Sequence, residues 1–564
     1  MPDVLSGYYN IINKEGNFMA QVLSQEEIEE LMTAIDGGVH HPQKTSQQET
    51  KVNTNGSKQS NEPLSQNEIS TLLAAITGEQ PPESNYAEKL EANRKLAEAN
   101  PDKYLPELLM NLYNLANQQR ETECYTEAEA TYTEALDIYR KLAKTNGYIP
   151  GLITTLRKLI EVKVKLSKTD EAESIYDELI KIRRKQAEID PNTYLPSLAI
   201  TLYNLAVLQR KTKQYTKAEN SYTEETEIFR KLIEIDSDGY LVDLANALYN
   251  LARIQFNTDQ YAKSEGNFAE ALEIYRKQAE TNLDRYLPDV ADTLECLIKI
   301  KDKLSRKKEA ESMCTELLEI KRKLAEANPD EYVSSLAETL NYLAFLCIDT
   351  EQYKKAETSS IEALGIYRKL AGTNPNKYLW NLADVLYSLA VSQYYIGRYK
   401  EAEDNEAKAL KIMRKLAESN PVVYLLAMTY TLRTLIEVKE KLLKMNEAES
   451  NYIELLEIYR KLAEYSPEGF LPDVANTLNN LAELQKNAGR YKEAESGYAE
   501  SSNIYQEIAG AASEPDWEKS NLKSLSTTLE NLIEVKEKLS KNSEAEELKK
   551  KLAEIKKQEE NIKL

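Results

Sequence analysis

A small residue returns along this chain at an almost constant interval. Aligned on the phrase Tyr-x-x-Ala-Glu, it stands at Ala128, Ala172, Ala218, Ser264, Ala310, Ala356, Ala402, Ala448 and Ala494. The first step is 44 residues and the next seven are 46 each. A tenth small residue, Ala545, follows after 51, with the surplus in the irregular stretch 510–517. Such a period overrides any domain count taken from 564 residues, because each repeat buries its apolar side only against its neighbours.

Each period carries two helical patterns. In 195–239, Leu198, Leu202, Leu205 and Ala206 recur at helix spacing, and Tyr215 to Leu232 do the same with Ala218, Tyr222 and Ile228. Phrases such as Asn100-Pro101-Asp102-Lys103-Tyr104-Leu105-Pro106 stop one helix and start the next. An aromatic holds that joint in nine of ten repeats, from Tyr104 to Phe470, and Asn521 takes its place in the last. A ring buried there locks neighbouring repeats while its hydroxyl stays wet. Segment 84–99 reads as an unpaired second helix, since Tyr86 and Arg94 lie 46 residues before Tyr132 and Arg140.

Two repeat types are expected from one first-helix position. It is alanine at Ala116, Ala206, Ala252, Ala344, Ala390 and Ala482, and isoleucine at Ile160, Ile298, Ile436 and Ile533. The first three isoleucines are 138 residues apart, as if three-repeat blocks had been duplicated. Alanine lets paired helices approach; isoleucine spreads them, so superhelix curvature is predicted to change at every third repeat.

The pattern small Ala206, small Ala218 and aromatic Tyr222, twelve and sixteen residues on, resembles the tetratricopeptide repeat family. That family's period is ~34 residues, so the extra residues lengthen the helices, as in its kinesin-light-chain-like long-repeat subclass. The resemblance covers roughly 84–564 and implies an all-α fold. It implies a right-handed superhelical solenoid of about ten helix pairs with a concave inner face, spanning 80–564 with a half-repeat at 84–99.

Composition narrows the function. The net charge is −21, from 93 acidic and 72 basic residues, and an acidic surface repels phosphate backbones, so no nucleic acid is expected. No run approaches the ~20 apolar residues of a membrane span, and residues 1–18 form a polar extension without a signal peptide's apolar core. Four cysteines without a CxxC pair suit reduced thiols in the cytoplasm. The only histidines are the adjacent His40 and His41, and no phosphate-cradling GxxxxGK[ST] loop occurs. No enzyme activity, cofactor or metal is expected.

In alanine-type repeats a polar residue precedes the Leu-Ala pair: Asn114, Asn204, Asn250, Ser388 and Asn480, with Tyr342 as a departure. An amide donates and accepts, which suits a sequence-tolerant grip on the main chain of a protein or peptide in the groove. The alternative is a polar residue on a wet helix face. Isoleucine-type repeats interrupt the ladder with Lys158, Cys296, Thr434 and Asn531. Arginine recurs on second helices from Arg140 through Arg184, Arg230, Arg276, Arg322, Arg368 and Arg414 to Arg460; it reads as the partner of glutamates on adjacent helices, not as an anion stripe.

One short phrase occurs twice ahead of the array, in segments 19–37 and 63–79, separated by a polar linker, 38–62, that is expected to be disordered. In the first copy Ser24 caps a helix, Glu27 reaches back, and Leu23 staples to Ile28. Ile28, Leu31, Met32 and Ile35 form one apolar stripe. The second copy repeats this with Ser65, Glu68, Leu64, Ile69, Leu72, Leu73 and Ile76. A ~12-residue helix alone is marginal in water, so each awaits a partner groove.

The phrase is similar to the N-terminal peptide of the flagellar motor-switch protein FliM, Leu-Ser-Gln-x-Glu-Ile-Asp-x-Leu-Leu. The matching residues are Leu23, Ser24, Gln25, Glu27, Ile28 and Leu31, then Leu64, Ser65, Gln66, Glu68, Ile69, Leu72 and Leu73. Glu29 and Ser70 replace the aspartate, and Met32 a leucine. The resemblance implies docking on a phosphorylated CheY-like receiver. The chain is therefore expected to be a cytoplasmic scaffold, gripping a partner in its groove and recruiting a response regulator in chemotaxis or motor switching. The alternative is a general adaptor or co-chaperone whose N-terminal helices only cap its own solenoid.

Overall fold

The computed structural model describes residues 82–142, 148–236, 238–418, 421–511 and 515–562. Among these residues 21 helices follow one another, from Pro82–Ala99 to Asn542–Asn561, and there is no strand. Two compact units make up the described chain, one reaching Ile300 and the other beginning at Lys301. Within each, helices pack against their chain neighbours as a solenoid of helix pairs.

Most first helices open on a proline behind a short polar residue, as at Asn100-Pro101, Asp190-Pro191, Asn328-Pro329 and Ser466-Pro467. Proline costs nothing in a first turn, where its missing N–H would have no helical partner. It also drives the preceding residue out of the helical region, and Asn100 sits at φ −146°. At these joints one residue separates consecutive repeats. At Asp190 the carboxylate also accepts a hydrogen bond from the Thr193 amide at 3.3 Å. The helices run through prolines such as Pro106, and most reach 21 residues, which is where the long period goes.

Between first and second helix the chain turns through one left-handed residue per repeat: Glu123, Ser167, Lys213, Asp259, Ser305, Glu351, Gly397, Leu443, Gly489 and Ser540. The Cys124 amide bonds the Gln119 carbonyl at 2.8 Å and the Glu123 amide the Arg120 carbonyl at 3.2 Å, which satisfies carbonyls the helix end leaves open.

The small-residue column lies at the helix crossings. Ala128, Ala172, Ala218, Ser264, Ala310 and their counterparts to Ala494 are fully buried, as are the first-helix alanines Ala116, Ala206 and Ala252. Ser264 substitutes for alanine because its hydroxyl donates to the Ala252 carbonyl at 2.7 Å. The expected spreading at every isoleucine is not general: the pairs at Ile436 and Ile533 approach about as extensively as the alanine-type pair at Ala116, and of these three isoleucine pairs only that at Ile160 meets over a shorter stretch. Helices Ile149–Lys165 and Thr169–Ile189 approach over less of their length than do Pro191–Lys211 and Tyr215–Ile235. The joint aromatics are mostly half-buried and lean on neighbouring rings, Tyr240 on Phe229 at 6.4 Å and Tyr424 on Trp380 at 5.3 Å.

Candidate functional site

On the first helices of the unit ending at Ile300, an amide and apolar side chains share an open face. Asn114 and Asn204 are exposed, and one turn before them Met110 and Ile200 are 59% and 57% exposed. Tyr113 and Tyr203 flank the amides and lean on the buried Tyr132 and Tyr222 of the second helices, the first edge-on at 6.3 Å and the second tilted at 6.2 Å. This packing sets the orientation of the face. Asn250 is half-exposed, and its amide donates to the Asn246 carbonyl at 2.9 Å.

The unit beginning at Lys301 treats the same positions differently. Ser388 is fully buried; its hydroxyl bonds Asn341 Oδ1 at 2.9 Å and the Asp384 carbonyl at 3.0 Å. Ser388 therefore joins one first helix to another and offers nothing to a ligand, which corrects its expected place in the ladder. The cause is direct packing of helices Pro329–Asp349, Pro375–Tyr395 and Pro421–Lys441 in succession, which also buries Asn341, Asp384 and Tyr387.

Beyond that closed stretch lies a pocket of about 320 Å³, and its lining includes the ladder residue Asn480. Ile436, Leu455 and Thr477 line it with Arg433, Glu437, Tyr452, Tyr459, Asp473 and Asn476. Among the described residues no ion pair within 4.0 Å joins Arg433 to Glu437 or Asp473. Burial raises both carboxyls above their ordinary range, against the pull of Arg433 and, for Glu437, of a hydrogen bond from Tyr394. The sequence pointed to Asn480 and Ile436 but not to Arg433, Glu437 or Asp473. Charges three before and one after the isoleucine were the available signal.

Most of the second-helix arginines pair as expected. Arg184 reaches Glu224 at 2.8 Å and Arg230 reaches Glu270 at 2.6 Å. Each pair ties one second helix to the next.

The first phrase (Leu23, Ser24, Gln25, Glu27, Ile28, Leu31, Met32) and the second (Leu64, Ser65, Gln66, Glu68, Ile69, Leu72, Leu73) lie outside the described residues. Among the described residues no group of three or more His, Cys, Asp or Glu side chains could hold a metal ion. No described helix is long and apolar enough to cross a membrane.

Family models for the tetratricopeptide repeat match residues 197–277 and 335–415, and a second such model matches 474–516. These stretches are tetratricopeptide repeats. No curated protein matches the chain. Among solved structures, BtubC (BKLC) from P. vanneervenii is 23% identical over 46% of this chain and 94% of its own, with a TM-score of 0.34. A STAND signal-transduction ATPase with a tetratricopeptide repeat sensor, from Pyrococcus horikoshii, is 14% identical over 66% of this chain and 52% of its own, at 0.40. The apo form of RapI is 16% identical over 55% and 98%, at 0.35.

Proposed function

We propose that this tetratricopeptide repeat chain is a non-enzymatic, cytoplasmic protein-interaction scaffold. Its first-helix face holds an extended segment of a partner. The observation that carries this reading is the pairing of a bare amide with a bare apolar side chain one turn away, Asn114 with Met110 and Asn204 with Ile200. The amides take a partner's main chain in either polarity, and Met110, Ile200 and Tyr203 cover its apolar side chains. A double variant, Ile200→Ser with Asn204→Ala, should lose partners recovered by cross-linked pull-down while keeping its circular dichroism spectrum and melting profile. Unchanged recovery would refute the face.

The N-terminal phrases extend the reading. Two tethered helices of FliM-like sequence would recruit a phosphorylated CheY-like receiver to the scaffold, raising its local concentration. The test is a peptide spanning 19–37 titrated with phosphorylated and unphosphorylated receiver. Binding that requires phosphorylation and is lost in Ile28→Ala supports recruitment in chemotaxis or motor switching. Binding to neither form leaves the general adaptor whose N-terminal helices cap its own repeats.

A further inference from the structure

Several carboxylates shielded from solvent in the unit beginning at Lys301 are matched by cations. Glu311 meets Lys355 at 2.7 Å, Glu449 meets Arg490 at 2.6 Å, and Glu495 meets Lys536 at 2.7 Å. Glu437 and Asp473 have no such close cation, and both line one pocket. With Arg433 they leave a cavity carrying one positive and two negative groups, walled by the rings of Tyr452 and Tyr459.

We propose that this pocket is a subsite for a basic side chain, lysine or arginine, of a segment held by the neighbouring amide of Asn480. The inference rests on the scaffold reading above and deepens it. A guanidinium or ammonium entering between Glu437 and Asp473 supplies the close cation that Arg433 does not and meets the aromatic faces, and the volume of about 320 Å³ admits a long side chain. Burial holds both carboxyls above their usual range, the behaviour of acids awaiting a countercharge. An acidic chain of net charge −21 also favours a basic partner at long range.

The register supplies its own control. Counting back 276 residues, two of the 138-residue blocks, places Arg157 for Arg433, Glu161 for Glu437, Arg183 for Tyr459 and Ser197 for Asp473. There the charges sum to positive, and Glu161 is already held by Arg120 at 3.0 Å. One block back the same positions hold Lys321 and Ser335, so acid at 473 and tyrosine at 459 are specific to the third copy.

The full-length chain is titrated calorimetrically with four capped pentapeptides, Ala-Ala-X-Ala-Ala, with X arginine, lysine, alanine or glutamate. Arginine or lysine should bind at least tenfold more tightly than alanine, and glutamate no more tightly. Glu437→Gln with Asp473→Asn should abolish that excess and leave the alanine peptide unchanged. Tyr459→Arg with Asp473→Ser, which copies the first block, should reverse the preference toward glutamate. Equal binding of the arginine and alanine peptides, or an excess that survives the double variant, overturns the subsite. If that equal binding is also lost in Asn480→Ala, the main-chain grip stands alone; if no peptide binds, both readings fall.

Discussion

Arg414 on one second helix holds Glu454 on the next through two hydrogen bonds, 2.8 Å from Nε and 2.6 Å from a terminal nitrogen. The partner lies 40 residues on, and the same spacing joins Arg184 to Glu224 and Arg460 to Glu500. At Arg368 the ladder is interrupted, because Lys408 stands in the partner position. The paired arginines are half-exposed, so each pair is expected to contribute only about 0–1 kcal/mol, and less in salt. Glu454→Gln should therefore shift the urea midpoint slightly at low salt and not at 1 M salt (a concentration at which the screening length is ~3 Å). A salt-independent shift would show that another contact had been lost.

Tyr132 is fully buried, and its hydroxyl donates to Asn117 Oδ1 at 2.7 Å. Burial raises its pKa to about 12. Removing only the hydroxyl in Tyr132→Phe should cost about 1 kcal/mol. Tyr132→Ala should cost about 3–5 kcal/mol through the cavity it leaves. Urea unfolding of both variants gives the comparison, and equal costs would mean that the ring itself contributes little.

Glu406 follows Tyr387 by 19 residues, the spacing at which Tyr132 follows Tyr113 and Tyr222 follows Tyr203. A carboxyl thus occupies an aromatic site; it is fully buried, and neither oxygen has a hydrogen-bond partner. Burial holds its pKa well above the carboxylate range, and raises that of Glu225, in the other unit, to about 8. In both cases the unfolded chain ionises first, so stability is full below the ordinary carboxylate value and falls as pH rises toward the folded value. Glu225→Gln should match the parent's melting temperature near pH 4 and exceed it increasingly up to pH 8. Glu406→Gln should likewise gain more stability at pH 8 than at pH 4. A gain that is the same at both pH values would exclude ionisation as its source.

Leu443 turns at φ 58° with 80% of its surface exposed, in the register that Gly397 and Gly489 fill elsewhere. A left-handed leucine costs about 1–2 kcal/mol, of which glycine returns part through its greater unfolded-state entropy. Leu443→Gly should raise stability by roughly 0.5–1 kcal/mol, read as a higher urea midpoint. A lower midpoint would show that the exposed side chain contributes packing.

Much of the fold was legible. The column from Ala128 to Ala494 announced helix crossings because two backbones approach closely only where side chains are small, and each of those residues is buried. The arginine ladder was legible for a similar reason: a constant period places charges on successive second helices within reach of one another. The left-handed turn of each repeat was not legible, because glycine fills it only at 397 and 489 and ordinary residues fill it elsewhere.

Periodicity determined where helices begin, which faces they bury, and that the chain repeats. It could not tell Ser388 from Asn204, which share a register position yet lie buried and exposed respectively. Only the tertiary packing of successive first helices closed one stretch, and only the fold brought Arg433, Glu437 and Asp473 together around one pocket. A period specifies contacts within a repeat, which are local and recur. Whether a face stays open depends on how closely one repeat settles on the next, and that is decided by side chains about forty residues apart.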